Sequence, residues 1–291
     1  MISGKLDQKR RKSLVVRLGF FILINSMKKN ILFILFLLFS TNIFAQTKIA
    51  PTSALDTATA KFEKHIFSAS NNIKMPFRLL KPLNYDSTKT YPLVFFYHGA
   101  GERGTDNEIS IKNISPFVLN QQNRKKYPCF VLVPQCDKGQ KWVNVTWNAD
   151  AHTFTDTLTP YMRASVDLLD EIIKKYPINQ KKIYVTGLSM GGYAVWDVIT
   201  RFPEKFAAAV PICGGADEIQ AEKIKNIPIW AFHGAKDTTV KPSRSRNIVA
   251  KLKKLGAKPL YTEYPEVGHN SWKLAYTTPQ LAKWLFKQGK K

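Results

Sequence analysis

Apolar residues along this chain gather in short unbroken runs, and the stretches between several of them carry a helical repeat. Tyr91-Pro92-Leu93-Val94-Phe95-Phe96-Tyr97 is continuous, as are residues 130–134, 206–212 and 228–232. Runs of that kind suit strands covered on both faces. Residues 182–186 and 260–264 complete the expected parallel set. Between them, residues 160–176 place Met162, Val166, Leu169, Ile172, Ile173 and Tyr176 on one stripe, and Pro160 suits a first turn. Further helices are predicted over 193–202, 216–224, 243–255 (capped by Gly256) and 279–287. Residues 62–68 and 74–80 alternate in part around Ser70-Asn71-Asn72, the mark of a β-hairpin. Residues 107–123 read as irregular, with one helical turn near 116–120, and residues 135–154 as a long polar loop. Strand–helix alternation from residue 91 onward predicts an α/β fold. It is a mostly parallel central sheet with helices on both faces and an antiparallel hairpin at its N-terminal edge.

Composition changes the picture chiefly at the N-terminus. The chain has 291 residues, 44% hydrophobic and 22% charged, enough for one large core. Met27-Lys28-Lys29-Asn30 is a basic head, Ile31 to Phe39 an apolar run, and Ser40 to Ala45 a polar tail ending in a small residue. That is the three-part pattern of a secretory signal. The apolar run is far shorter than the ~20 residues of a membrane-spanning helix. Residues 1–45 are therefore expected to be an extension plus signal peptide, with the natural start at Met27. Residues 46–59 read as a lead-in and 60–291 as one domain without repeats. The expected location is secreted or periplasmic, without a stable membrane anchor.

The formal net charge is +23. Eight of the 44 basic residues and one of the 21 acidic ones fall within the first 45 positions, leaving a surplus of 16 positive charges. These are scattered, with no arginine block interleaved with aromatics, which argues against a nucleic-acid partner. Three cysteines, Cys129, Cys136 and Cys213, leave at least one free; a Cys136–Cys213 disulfide and buried free thiols are both open. No Cys/His cluster has metal-ligand spacing, so neither a metal nor an organic cofactor is expected.

Chemistry concentrates at strand ends. Residues 183–186 run into Gly187-Leu188-Ser189-Met190-Gly191-Gly192 and then an amphipathic stretch. Strand, sharp turn and helix with a lone serine at the bend suit a nucleophile elbow. A serine hydroxyl needs an imidazole to take its proton and a carboxylate to orient that imidazole. Asp237 stands four residues beyond one strand. His269 follows the last strand and is the only histidine beyond Asp237. Asp217 is the alternative acid, Glu266 lies too near His269 on its own loop, and His98 and His233 read as turn-shaping residues. Backbone N–H groups of Met190 and of Ala100 or Gly101 are the candidate oxyanion donors. Glu102 and Arg103 are either a local ion pair or solvated charges. Trp142, Trp147 and Trp272 are either substrate platforms or loop anchors.

Four segments carry a resemblance. They are His98-Gly99-Ala100-Gly101-Glu102-Arg103-Gly104-Thr105-Asp106-Asn107, Gly187 to Gly192, Phe232-His233-Gly234-Ala235-Lys236-Asp237, and Gly268-His269-Asn270-Ser271-Trp272. Together they resemble the bacterial α/β-hydrolases of the "predicted peptidase" group, which are similar to phospholipase/carboxylesterase and polyhydroxybutyrate-depolymerase-like esterases. The resemblance spans about residues 60–288. It implies a single-domain secreted serine esterase with Ser189, Asp237 and His269 as its triad; export adds the expectation of a small-molecule or oligosaccharide ester as substrate, such as an acetyl or feruloyl ester of a polysaccharide. The chain shows no propeller-sized domain of the kind that gates peptides in prolyl oligopeptidases. A peptidase acting on short peptides and a non-catalytic carbohydrate-binding protein are the alternatives.

Overall fold

The structure, a computed structural model, describes residues 58–290. The expected signal segment and nearly all of the 46–59 lead-in lie outside the described residues. Eight strands follow in chain order: β1 (Glu63–Ser68), β2 (Lys74–Leu80), β3 (Tyr91–Tyr97), β4 (Phe130–Pro134), β5 (Ile178–Leu188), β6 (Ala208–Ile212), β7 (Trp230–Gly234) and β8 (Leu260–Tyr264). They form one sheet in the order β1-β2-β4-β3-β5-β6-β7-β8. β1 and β2 pair antiparallel, as do β2 and β4; every later pairing is parallel. The expected edge hairpin is therefore present, with Asn72 at φ 64° in its turn.

Why the sheet needs two covering layers is visible in β3 alone. Leu93, Phe95 and Tyr97 enter one core while Val94 and Phe96 enter the other. All five are fully buried. Each strand residue points to the face opposite its neighbour's, so a continuous apolar run requires cover on both sides. The first core receives α3 (Pro160–Lys175), α4 (Met190–Arg201) and α5 (Ser243–Lys254). The second receives α1 (Ser115–Val118), Ala275 of α6 (Trp272–Ala275) and the apolar face of α7 (Leu281–Lys287). α3 starts where Thr159 accepts the Met162 N–H at 3.1 Å, a side-chain N-cap in front of Pro160. α5 ends before Gly256, at φ 81°, a left-handed stop that glycine takes without steric cost.

Three of the differences from the sequence expectation have local causes. β5 begins at Ile178, ahead of its apolar part, because Tyr91 reaches past a register shift to pair with Ile178. The 216–224 segment is a 3₁₀ helix over Glu218–Ile224, capped by Asp217. A short helix, α2 (Gln121–Lys126), occupies a stretch with no apolar stripe; the Asn120 side chain starts it by accepting the Asn123 N–H.

The cysteines are free thiols. Cys136 packs in the first core and Cys213 in the second, on opposite faces of the sheet, which rules out the disulfide between them.

Candidate active site

Ligand sites in parallel α/β sheets lie beyond the C-terminal ends of strands, where the strand order reverses. Here the order turns at β3, between β4 and β5. Ser189 stands directly after β5 at φ 54°, ψ −119°, a backbone state costing about 1–3 kcal/mol for a non-glycine residue. The bend is held from both sides: the Ser189 N–H donates to the Ile212 carbonyl at 3.0 Å, and the Ser189 carbonyl accepts from Tyr193 N–H at 3.1 Å. Gly191 sits so close to β3 that an added Cβ would fall 2.0 Å from the Tyr97 carbonyl oxygen. The small residues around Ser189 thus let the helix start almost touch the neighbouring strand.

The histidine and aspartate come from two further strand ends. His269 Nε2 lies 2.8 Å from Ser189 Oγ, and His269 Nδ1 lies 2.8 Å from Asp237 Oδ2. A carboxylate only accepts, so Nδ1 carries the hydrogen and Nε2 accepts from the serine hydroxyl. The loop after β7 clamps Asp237: its Oδ1 accepts the Thr239 and Val240 N–H groups, each at 2.9 Å. His233 Nε2 approaches Oδ2 at 3.2 Å and also donates to the Val240 carbonyl at 2.9 Å. Burial by itself would raise the Asp237 carboxyl; the hydrogen bonds from His233, His269 and Val240 outweigh it and hold the group well below the ordinary carboxylate range.

Met190, Ala100 and Gly101 have backbone N–H groups that no protein acceptor takes among the described residues. Met190 opens α4, where orphan N–H groups point outward. Ala100 opens a 3₁₀ turn following β3. A Cβ on Gly101 would meet nothing within 4 Å, so packing does not explain the glycine. Behind this loop, His98 is fully buried. Its Nε2 accepts the Cys136 N–H at 3.0 Å, and Nδ1 donates to the Gly99 carbonyl at 2.7 Å. Burial, reinforced by the charge of Arg103, pushes it down to about 4. The unfolded chain binds that proton at the ordinary value near 6.5, so stability falls as pH drops from about 6.5 towards 4. The unfolding free energy from urea titrations is expected to fall between pH 7 and 5, by at most about 1.4 kcal/mol per pH unit for this one group. His98→Gln should show a flatter slope; an equal slope would mean that His98 is not the titrating group.

Other expectations resolve differently. Asp217 is committed to capping: it accepts the Ile219 and Phe154 N–H groups, each at 3.1 Å. Glu266 is exposed and pairs with Lys236. Glu102 and Arg103 do not pair with each other. Glu102 accepts from Asn113 at 2.8 Å, while Arg103 donates to the Ala100 and Gln140 carbonyls. Trp142 is a loop anchor rather than a platform. It is fully buried, edge-on to Tyr97 and His98, and donates to the His98 carbonyl at 3.1 Å. Trp147 is half-buried with Lys141 Nζ 5.2 Å from its ring centre. Trp272 is half-buried and meets the His269 ring edge-on at 5.5 Å. Spacing along the chain also hides a donor cluster: Cys213, Asp237 and His269 bring ligand atoms within 4.8 Å of one another, two of them already engaged in the Ser189 line.

With this geometry in place, comparison with known proteins is informative. Residues 129–273 match the model of the Dienelactone hydrolase family. A solved thermostable esterase is 36% identical, with a TM-score of 0.75 over 80% of this chain and 64% of its own. The fold is that of the α/β-hydrolases. A ferulic acid esterase shares the hydrolase fold at a TM-score of 0.59 and 15% identity, covering 78% of this chain and 98% of its own. The bifunctional acetylxylan esterase/xylanase of Neocallimastix patriciarum is 34% identical over 71 residues, 24% of this chain. The match spans only 10% of that relative's length.

Proposed function

We propose that this α/β-hydrolase is an exported serine carboxylesterase. Ser189 attacks the ester carbonyl carbon while its proton passes to His269 Nε2. Asp237 fixes the imidazole and stabilises the imidazolium. The N–H groups of Met190 and of Ala100, with Gly101 beside it, receive the developing oxyanion. His269 returns the proton to the departing alkoxide, leaving an acyl-serine and a free alcohol. A water then gives its proton to His269 and attacks the acyl carbon; the acid leaves as His269 returns that proton to Ser189 Oγ, restoring the hydroxyl and the neutral imidazole. No step calls for a metal or organic cofactor.

The observation carrying this reading is the unbroken line of two 2.8 Å contacts from Ser189 Oγ through His269 to Asp237. A strained, positive-φ serine at its head adds weight, because such strain persists where function holds it. Similarity to an acetylxylan esterase/xylanase and to a thermostable esterase supports ester hydrolysis. Acetyl or feruloyl esters of polysaccharides are the proposed substrates, with the half-buried Trp147 and Trp272 as candidate substrate contacts. Export rests on the 27–45 segment. Among the described residues no helix is long and apolar enough to cross a membrane.

A fluorophosphonate probe is expected to label the chain once, at Ser189, located by peptide mass. p-Nitrophenyl acetate and butyrate should be turned over, and short-peptide p-nitroanilides should not. An unlabelled chain without ester turnover would sink the reading, and a preference for the anilides would favour the peptidase alternative.

A further inference from the structure

The positive residues that lie scattered along the sequence are gathered by the sheet onto one face. Where strands run parallel and helices return between them, every segment entering a strand lies at the edge opposite the strands' C-terminal ends. The pairings set these entries side by side: Leu93 pairs with Phe130, Tyr91 with Ile178, Tyr184 with Ala208, and Trp230 with Leu260. The tail after α7 joins them. The Lys290 N–H donates to the Lys181 carbonyl at 3.0 Å, and its Nζ donates to the Glu204 carbonyl at 2.6 Å.

Residues 81–90, 121–129, 174–182, 204–207, 222–228, 251–258 and 287–290 make up this edge. They contain seventeen lysines, one arginine and three acidic residues, a surplus of 15 against 16 for everything beyond residue 45. The loops at the Ser189 edge are residues 98–107, 135–141, 213–218, 235–241 and 265–273, and they hold six basic and seven acidic residues. Of the eighteen basic residues at the entry edge, twelve are exposed and six half-buried. Among the described residues only Lys81, Lys89, Lys205 and Lys225 of this set pair with a carboxylate. Lysines in the last turns of α3, α5 and α7 complement the helix dipoles. Lys181, Lys182, Lys258 and Lys290 lie outside any helix, so that explanation does not reach them.

The width of the face and the chemistry of its cations select the partner. Six adjacent strands, from β4 across to β8, make it roughly 24 Å wide, broader than one polymer strand. Lysine is a compact point charge without the planar fork by which arginine grips a carboxylate, so the face suits a diffuse layer of phosphates. A charged polymer bearing the scissile ester would have to reach Ser189, and at that edge the charge is balanced. Leu83 and Leu260, 39% and 41% exposed, are the exposed large apolar residues along the face, too few for deep insertion. We infer that the edge of the sheet opposite Ser189 is a docking face for an anionic phospholipid surface, held by charge and leaving Ser189 turned towards solution. Binding requires no turnover, so failure of the esterase reading would leave this inference standing.

The test is co-sedimentation of the exported protein with vesicles of equal parts phosphatidylglycerol and phosphatidylcholine, beside vesicles of phosphatidylcholine alone. The mixed vesicles should bind the protein in about 0.1 M salt and release it in about 1 M, where the screening length falls from about 10 to about 3 Å. The neutral vesicles should not bind it. Replacing Lys174, Lys181, Lys223 and Lys254 together by glutamate should weaken binding at least about a hundredfold, since each lysine near such a surface is worth about fivefold. Glutamine at the same four positions should fall between parent and glutamate variant, and it supplies the comparison should the glutamate set unfold. The same glutamate change at Lys138, Lys141, Lys236 and Lys273, on the other edge, should cost less than about threefold. No binding to the mixed vesicles, equal binding to neutral ones, binding that survives high salt, or equal losses in the two glutamate variants would overturn the inference. So would tighter binding to polygalacturonate or duplex DNA than to the mixed vesicles.

Discussion

Ser189→Ala is expected to lower kcat on p-nitrophenyl acetate by about 10⁵–10⁶-fold, the usual scale for removing the nucleophile of such a relay. The fold should survive. Alanine keeps the Cβ and therefore the same φ of 54°, and only the 2.8 Å contact to His269 is lost. Thermal midpoints of parent and variant should agree within a few degrees. His269→Ala should be similarly slow, and the double variant no slower than either single one, because the two side chains act as a unit. Residual turnover of a few per cent in Ser189→Ala would mean that the ester is cleaved elsewhere in the protein.

Gly191→Ala should fail for a different reason. Helix propensity alone would favour alanine by up to about 1 kcal/mol. Against that, its Cβ would stand 2.0 Å from the Tyr97 oxygen, 2.6 Å from the Tyr97 carbonyl carbon and 2.7 Å from the His98 oxygen. These are backbone atoms of a central strand, so they cannot swing aside. Relief requires pushing the start of α4 off β3, at a cost of about 1–3 kcal/mol or more. The displaced backbone leads into Gly99 and Ala100, so the candidate oxyanion donors should shift along with Ser189. Urea unfolding and fluorophosphonate labelling are the two readouts. A variant as stable and as reactive as its parent would show that this close approach is not maintained in solution.

Much of this was legible in the chain alone, because strand order and turn chemistry are local. Tyr91–Tyr97, Phe130–Pro134 and Leu260–Tyr264 keep the bounds that their apolar or alternating patterns suggest. Ser189, Asp237 and His269 were found as strand-end residues, and a parallel sheet brings such residues to one edge. What escaped depends on contacts between distant segments. Trp142 looked like any loop tryptophan until β3 supplied a carbonyl for its indole and an edge for its ring. Arg244 looked like one more basic residue on an amphipathic helix. Its burial follows from meeting residues 150–152 and 216, some 92 and 28 positions away. α2 was invisible to periodicity because none of its residues is apolar, and its start is set by one asparagine side chain.

The attachment of the candidate base to an edge strand of the sheet has a dynamic meaning. β8 is an edge strand, paired on one side only, and its side chains are exposed or half-buried throughout. Backbone amides in such a strand exchange through small local openings at a fraction of the free energy needed to unfold the core. Each opening carries off the tether of His269 while Ser189 remains on β5, deep in the sheet. Catalytic competence would then track the protection of the least guarded strand, and mild heat or denaturant would silence the enzyme well before its cores melted.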